Sequence, residues 1–251
     1  MKLTLPVGVT LEGQVIRDFT LAPVTGKLRV ALNDAPMHMP GIDLCALRHV
    51  IKSLGHIDGV YENLFRRLTI PDRDYIHAAV SASRHNGNIP VHGMCDCGEK
   101  LTDSVAADAI TLLDADAPLQ WEDGRACVGL DVNLPESGRQ VPLVVALPTL
   151  ALELKTEEAR LAKKKSDGDI YVERVADSIV AIDGKAVTAK DLRELPLDDF
   201  DAVLEAMDNI KAPRLDNEAV LHCSACGSDI TVSIGWDEWV IPLARRTGRK
   251  S

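Results

Sequence analysis

Two short cysteine pairs constrain this chain more than any other feature. "HGMCDCGEK" (residues 92–100) sets Cys95 and Cys97 one residue apart before Gly98, and "LHCSACGSD", far downstream, sets Cys223 and Cys226 before Gly227. Structural zinc usually takes four ligands, so each pair is half a site. A glycine after the last cysteine suits a tight knuckle, where positive φ costs it little and amides can point at thiolates. Candidate strands flank both pairs: "NIPVHGM" and "EKLTDSV" around the first, "EAVLH" and "DITVSIGW" around the second, with Ile230, Val232 and Ile234 alternating. Each pair therefore reads as a β-hairpin tip, and Cys95, Cys97, Cys223 and Cys226 as the metal ligands of one zinc-ribbon-like Cys₄ site. Cys-x-Cys is tighter than the commoner Cys-x-x-Cys, and the separation is far too long for a simple ribbon. Spacing alone leaves small buried cysteines as the other reading.

An internal repeat explains how distant tips would meet. "LTIPDRDYIHAAV" (68–80) aligns without gaps on "LPLDDFDAVLEAM" (195–207), matching Leu68/Leu195, Asp72/Asp199, Asp74/Asp201 and Ala79/Ala206. Upstream, "VIKSLGHIDG" (50–59) lies on "VADSIVAIDG" (175–184) through Val50/Val175, Ser53/Ser178 and the Ile-Asp-Gly triplets. The offset drifts from 125 at Ile57/Ile182 through 127 at Leu68/Leu195 to 128 and 129 at the cysteines. Matches in one order with a slowly drifting offset are the mark of a duplicated module. The expected fold is α+β: two tandem pseudo-symmetric modules, 1–125 and 126–251, each a β segment, helices and a cysteine-tipped hairpin, sharing one zinc. In the first, Asp43 is expected to cap a helix with Leu44, Leu47, Val50, Ile51 and Leu54 on one face. In the second, Thr188 and Asp191 form a capping box. The helix through "TLALELKTEEARLAKKK" has no evident counterpart in the first module.

Other features narrow the function. Hydrophobic residues make up 46% and charged residues 26%, the balance of a soluble folded chain. No apolar run approaches the roughly 20 residues that span a bilayer, and "MKLTLPVGVTLEGQ" lacks the apolar core of a signal peptide. The expectation is a reducing cytosol, where cysteines are ligands or core residues rather than disulfides. A net charge of −10 and 4% aromatics argue against nucleic acid as a partner. The basic stretches "LAKKKSDG" and "ARRTGRKS" read as a solvated helix end and a frayed tail. Four thiolates close the metal's shell and leave no position for a catalytic water. His92 and His222 lie near the knuckles, but His222 and Cys223, adjacent on a strand, point to opposite faces. Asp72, Asp74, Asp199 and Asp201 fall in the first turns of predicted helices, where carboxylates cap amides. Cys45 and Cys127 read as small core residues. The sequence carries no glycine-rich phosphate loop, Gly-x-Ser-x-Gly or His-Glu-x-x-His, so no enzyme and no small-molecule substrate is expected.

The motifs at 68–75, 95–98, 182–184, 195–199 and 223–227, with their surroundings, resemble the baseplate hub and tail-assembly proteins of contractile-tailed bacteriophages and related injection systems. The Cys-x-Cys knuckle departs from that family's usual Cys-x-x-Cys. The resemblance implies a non-enzymatic protein made in the host cytoplasm and joining the virion tail baseplate. Its partners would be the central hub, the baseplate wedge and the tape-measure protein. The competing reading is a zinc-ribbon nucleic-acid-binding or transcription-associated protein, favoured by the Cys₄ site and basic tail but opposed by the acidic balance.

Overall fold

Strands and helices follow one another in a mixed α/β order, in two runs along the chain, in this computed structural model, which describes residues 2–36, 38–58, 62–109, 112–115 and 117–235. The first run is β1 (Lys2–Leu11), β2 (Gln14–Leu21), α1 (Gly26–Asn33), α2 (Met39–Val50), β3 (Ile51–Leu54), β4 (Ile57–Asp58), α3 (Glu62–Arg66), α4 (Ile70–Arg84), β5 (Asn88–Met94) and β6 (Lys100–Ala106). Two short strands follow, β7 (Leu112–Leu113) and β8 (Gln120–Glu122). The second run is β9 (Arg125–Leu134), β10 (Arg139–Ala146), α5 (Leu150–Ala162), α6 (Asp167–Ser178), β11 (Ile179–Ile182), α7 (Ala189–Glu194), α8 (Leu197–Asp208), β12 (Arg214–Leu215), β13 (Glu218–His222) and β14 (Asp229–Ser233). The first sheet has the order β1-β2-β3-β4 and the second β11-β10-β9-β8, both antiparallel; β5-β6, β13-β14 and β7-β12 are two-stranded.

Local signals start several helices. Thr69 accepts from the Asp72 amide ahead of α4, which holds Pro71 in its first turn, and Thr149 and Ser166 cap α5 and α6 in the same way. Thr188 and Asp191 form the expected reciprocal capping box on α7. The α2 expectation needs correction. This helix starts earlier, at Met39, with His38 Nδ1 accepting from the Gly41 amide, and it stops at Val50. Ile51–Leu54 is strand β3 because Leu54 pairs with Phe19 and Ile51 with Leu21 of β2, an edge the apolar pattern alone does not reveal. The expected helix through 149–165 is α5. The Ile-Asp-Gly triplets occupy different places. Ile57 lies in β4, beyond the turn at Gly55, whereas Ile182 ends β11 before the turn at Asp183 and Gly184. Gly59 and the basic segment 244–251 lie outside the described residues.

Of three buried acids, Asp72 and Asp199 sit in first helical turns as expected, and Asp43 does not cap its helix. Asp43 lies within α2, facing α4 and α5: Arg73 Nη1 is 3.3 Å from Asp43 Oδ2 and 3.0 Å from Glu153 Oε2, and His77 Nε2 is 3.5 Å from Asp43 Oδ1. Asp72 and Asp199 reach beyond their own helices. Asp72 accepts from the Val7 and Gly8 amides of β1 at 2.8 and 3.0 Å and from the Thr69 hydroxyl at 2.9 Å. Asp199 accepts from the Glu136 amide at 2.9 Å and from the Ser137 amide and hydroxyl, in the β9–β10 turn. Each ties the first turn of a helix to the hairpin of its own half.

The cores follow the two runs with an exchange. Leu5, Phe19, Leu28, Leu47, Phe65 and Ile76 fill the first, joined by Leu150 and Leu154 of α5. Val132, Leu143, Val175, Leu192 and Val203 anchor the second. Between them, Val7 packs with Ala126, Val128 and Leu147.

Burial pushes the Asp72 carboxyl up to about 6, outweighing the Val7 amide, the Thr69 hydroxyl and the Gly8 amide that hold it down. The folded value lies above the unfolded one, so the carboxyl's stabilising contribution is complete below about pH 4 and is lost as pH climbs through about 6. The stability of the native protein relative to Asp72→Asn should therefore fall by about 3 kcal/mol between pH 4 and 7.5. Urea denaturation at both pH values measures this; a constant difference would refute it. Asp72→Ala should cost about 1–3 kcal/mol for each buried amide left unpaired.

Candidate metal centre

Each knuckle is closed by its own backbone. Met94 of β5 pairs with Lys100 of β6, and between them the Cys95 amide donates to the Glu99 carbonyl at 2.9 Å and the Gly98 amide to the Cys95 carbonyl at 2.8 Å. His222 pairs with Asp229, the Cys223 amide donates to the Ser228 carbonyl at 2.8 Å, and the Gly227 amide to the Cys223 carbonyl at 2.8 Å. The first loop reaches the same closure with one residue fewer, which accommodates Cys-x-Cys. Gly98 (φ +90°) and Gly227 (φ +76°) hold the positive φ that each turn demands.

The hairpins meet because a common core lies under them. Ala78 and Ala82 of α4 pack with Ile89 and Val91 of β5, Leu215 of β12, Ala219 and Leu221 of β13, and Ile234. Leu215 is held there by the pairing of β12 with β7, and the Ile234 amide donates to the Asn217 carbonyl at 2.7 Å. At Gly93 the faces come closest: a Cβ there would stand 2.6 Å from Val232 Cγ1, 3.1 Å from Ile230 Cδ1 and 3.4 Å from Leu221 Cδ1. Glycine is required at this crossing by space, not by backbone angle.

The four sulfurs of Cys95, Cys97, Cys223 and Cys226 all lie within 4.8 Å of one another. Across the two hairpins Cys95 lies 3.5 Å from Cys226 and Cys97 3.7 Å from Cys223. A tetrahedron of sulfurs about 2.3 Å from a zinc ion has edges of about 3.8 Å. A disulfide needs about 2.05 Å, and all six cysteines are free thiols. Two of the sulfur-bearing residues are buried, Cys95 and Cys223, and two are exposed, Cys97 and Cys226. The donor set fits a thiophilic divalent cation: four soft ligands in a closed shell. Amides reinforce it, Cys97 donating to the Cys95 sulfur and Glu99 to the Cys97 sulfur. The Ser228 hydroxyl and amide, then Cys95 and Cys223, lower the Cys226 thiol to about 6. This is the ionised state in which a thiol binds metal. Despite the Cys97 and Glu99 amides, the neighbouring thiols and burial push Cys95 up to about 12 and raise Cys97, so a cation would have to displace their protons.

The remaining candidate residues lie elsewhere. His92 Nδ1 is 3.3 Å from the Thr102 hydroxyl, and His222 Nδ1 is 2.8 Å from Asp229 Oδ1; both side chains are exposed and outside the sulfur group. Strand alternation puts Leu221 and Cys223 inward and His222 outward, as adjacent residues on a strand require. Cys127 is fully buried in β9 and Cys45 half-buried in α2, with both thiols pushed up by burial. Sequence reasoning missed the buried Asp43–Arg73–His77–Glu153 cluster. Its one signal is a pair of long polar side chains, Arg73 and His77, one turn apart on a largely buried helix. Among the described residues no helix is long and apolar enough to cross a membrane. No family model matches the chain, and no curated protein or solved structure matches it.

Gly93→Ala should separate the hairpins at their closest approach, lowering stability by about 1–3 kcal/mol. It should also speed loss of bound metal to a competing chelator. Unchanged melting and unchanged metal exchange would show that the crossing is not tight.

Proposed function

We propose that this chain is a non-enzymatic structural or assembly protein of a contractile phage tail. It docks to the baseplate hub, wedge or tape-measure protein, and its two duplicated halves, 1–125 and 126–251, are clasped by one structural zinc. The observation that carries the clasp is the Cys₄ cluster, assembled by hairpins from the ends of the two runs. Duplication is supported by the repeated element order, by the two β-β-β sheets of like direction, and by Asp72 and Asp199, each tying the first turn of a helix to its own hairpin. The tail reading rests on the order of the motifs at 68–75, 95–98, 182–184, 195–199 and 223–227. A rigid clasped module with an acidic surface suits docking by strand edges and helix faces. A four-thiolate shell supports a structural rather than a catalytic metal.

Metal analysis of protein purified without chelator tests the clasp. One zinc per chain is expected, lost together with thermal stability in both Cys97→Ser and Cys226→Ser. No metal in the native protein would eliminate the clasp, and iron in its place would correct the metal. Disrupting the gene in a phage that encodes it tests the tail reading: particles without functional tails are expected, and normal infectious particles would eliminate it.

A further inference from the structure

The sulfurs of the cluster differ in exposure as well as in parentage. In two cross-hairpin pairs one cysteine is buried and the other exposed: Cys95 with Cys226, 3.5 Å apart, and Cys223 with Cys97, 3.7 Å apart. Both pairs join one hairpin to the other. A dissolved oxidant meets an exposed sulfur first, and oxidation follows thiolate character and exposure. A buried sulfur of the opposite hairpin then stands in contact with each exposed sulfur, ready to attack it.

We propose that the four-cysteine centre is a site of two-electron oxidation by hydroperoxides, at which the metal clasp is exchanged for two disulfides between the halves, Cys95 with Cys226 and Cys97 with Cys223. The inference rests on the metal reading above. The Cys226 thiolate attacks one peroxide oxygen, the O–O bond breaks, hydroxide leaves and Cys226 becomes a sulfenic acid. The Cys95 thiolate then attacks the Cys226 sulfur, the S–S bond forms, the S–O bond breaks and a second hydroxide leaves. Cys97 and Cys223 react in the same way. Each disulfide consumes two thiolates and one hydrogen peroxide and releases two hydroxides; two disulfides consume every ligand and free the cation.

Four cysteines allow three pairings, and the geometry selects one. Joining Cys95 to Cys97 would close a small ring across the turn held by the Cys95–Glu99 and Gly98–Cys95 hydrogen bonds. Pairing the two buried cysteines would need the oxidant to enter the packed side of the cluster. The cross-half pairing needs neither, and it keeps the hairpins joined after the metal has left.

The test is a hydrogen peroxide titration of the zinc-loaded full chain, with zinc release read by a chromophoric chelator. Disulfides are then mapped by mass spectrometry of unreduced peptides. About two peroxides should release one zinc, peptides bearing Cys95–Cys226 and Cys97–Cys223 should appear, and dithiothreitol should restore zinc uptake. Disulfides within the knuckles would overturn the proposal, as would sulfinic acids at Cys97 and Cys226 without disulfides. In Cys97→Ser only the Cys95–Cys226 link should form; a Cys95–Cys223 link would overturn the assignment. Protein that purifies without metal would defeat the zinc reading alone, because the same mapping on free thiols still decides the pairing.

Discussion

Four sulfurs within 4.8 Å of one another set an electrostatic condition that the rest of the site must meet. Four thiolates there would carry four negative charges at a separation where like charges repel strongly. Two solutions exist: the thiols keep protons, or a divalent cation halves the charge. The surroundings divide between them. The Ser228 hydroxyl and amide lower Cys226. The Cys97 and Glu99 amides are outweighed by the neighbouring thiols and burial, which leave Cys95 and Cys97 raised, so a cation is what would let all four ionise together. In a chain of net charge −10, such convergence of donors is local design rather than a general electrostatic background.

The same local logic governs the buried carboxylates, with opposite outcomes. Asp72 and Asp199 occupy matching positions in α4 and α8, and both are fully buried. Burial raises both, but Asp199 ends below its ordinary range because the Ser137 hydroxyl and the Glu136 and Ser137 amides outweigh it. Asp72 remains raised although it accepts from the Val7, Gly8 and Thr69 amides and the Thr69 hydroxyl. The partners explain the difference: Glu136 and Ser137 sit on an exposed turn, whereas Val7 and Gly8 lie inside a packed strand. One carboxylate pins a solvent-facing loop, and the other holds a helix against the seam between the cores, where Val7 packs with Val128.

What could be read from the sequence was what adjacent residues decide. The knuckles are visible because a glycine follows each cysteine pair and strands with alternating faces flank them, and the α7 capping box because its two residues are three apart. The run from Leu44 to Leu54 reads as one helix because Ile51 and Leu54, three apart, keep helical spacing. The strand that forms instead buries both only through a register shift against β2, so local pattern does not separate helix from strand. Only pairing with Phe19 and Leu21 chooses between them. Asp43 reads as a cap because its neighbours are apolar and helical, and nothing adjacent announces Arg73 and His77. The exchange of Leu150 and Leu154 into the first core is invisible for the same reason: it depends on where α5 lands, not on what α5 is.

That exchange limits how much of the architecture a metal has to hold. Residues 147–150 run beside 68–70: the Ile70 amide donates to the Pro148 carbonyl, the Leu150 amide to the Leu68 carbonyl, and Thr69 bridges to Thr149. With Leu150 and Leu154 seated among Leu47, Phe65 and Ile76, the halves are already joined by a packed seam far along the chain from the cysteines. The hairpins have their own apolar core on α4. Roughly 10–16 kcal/mol accompanies zinc binding by small peptides because the metal drives their whole folding. Here the seam and the hairpin core bring the sulfurs together, so a metal at this centre binds a site largely assembled by packing. Its structural work is confined to the four-sulfur tip, where packing alone would leave the thiolate charges opposed.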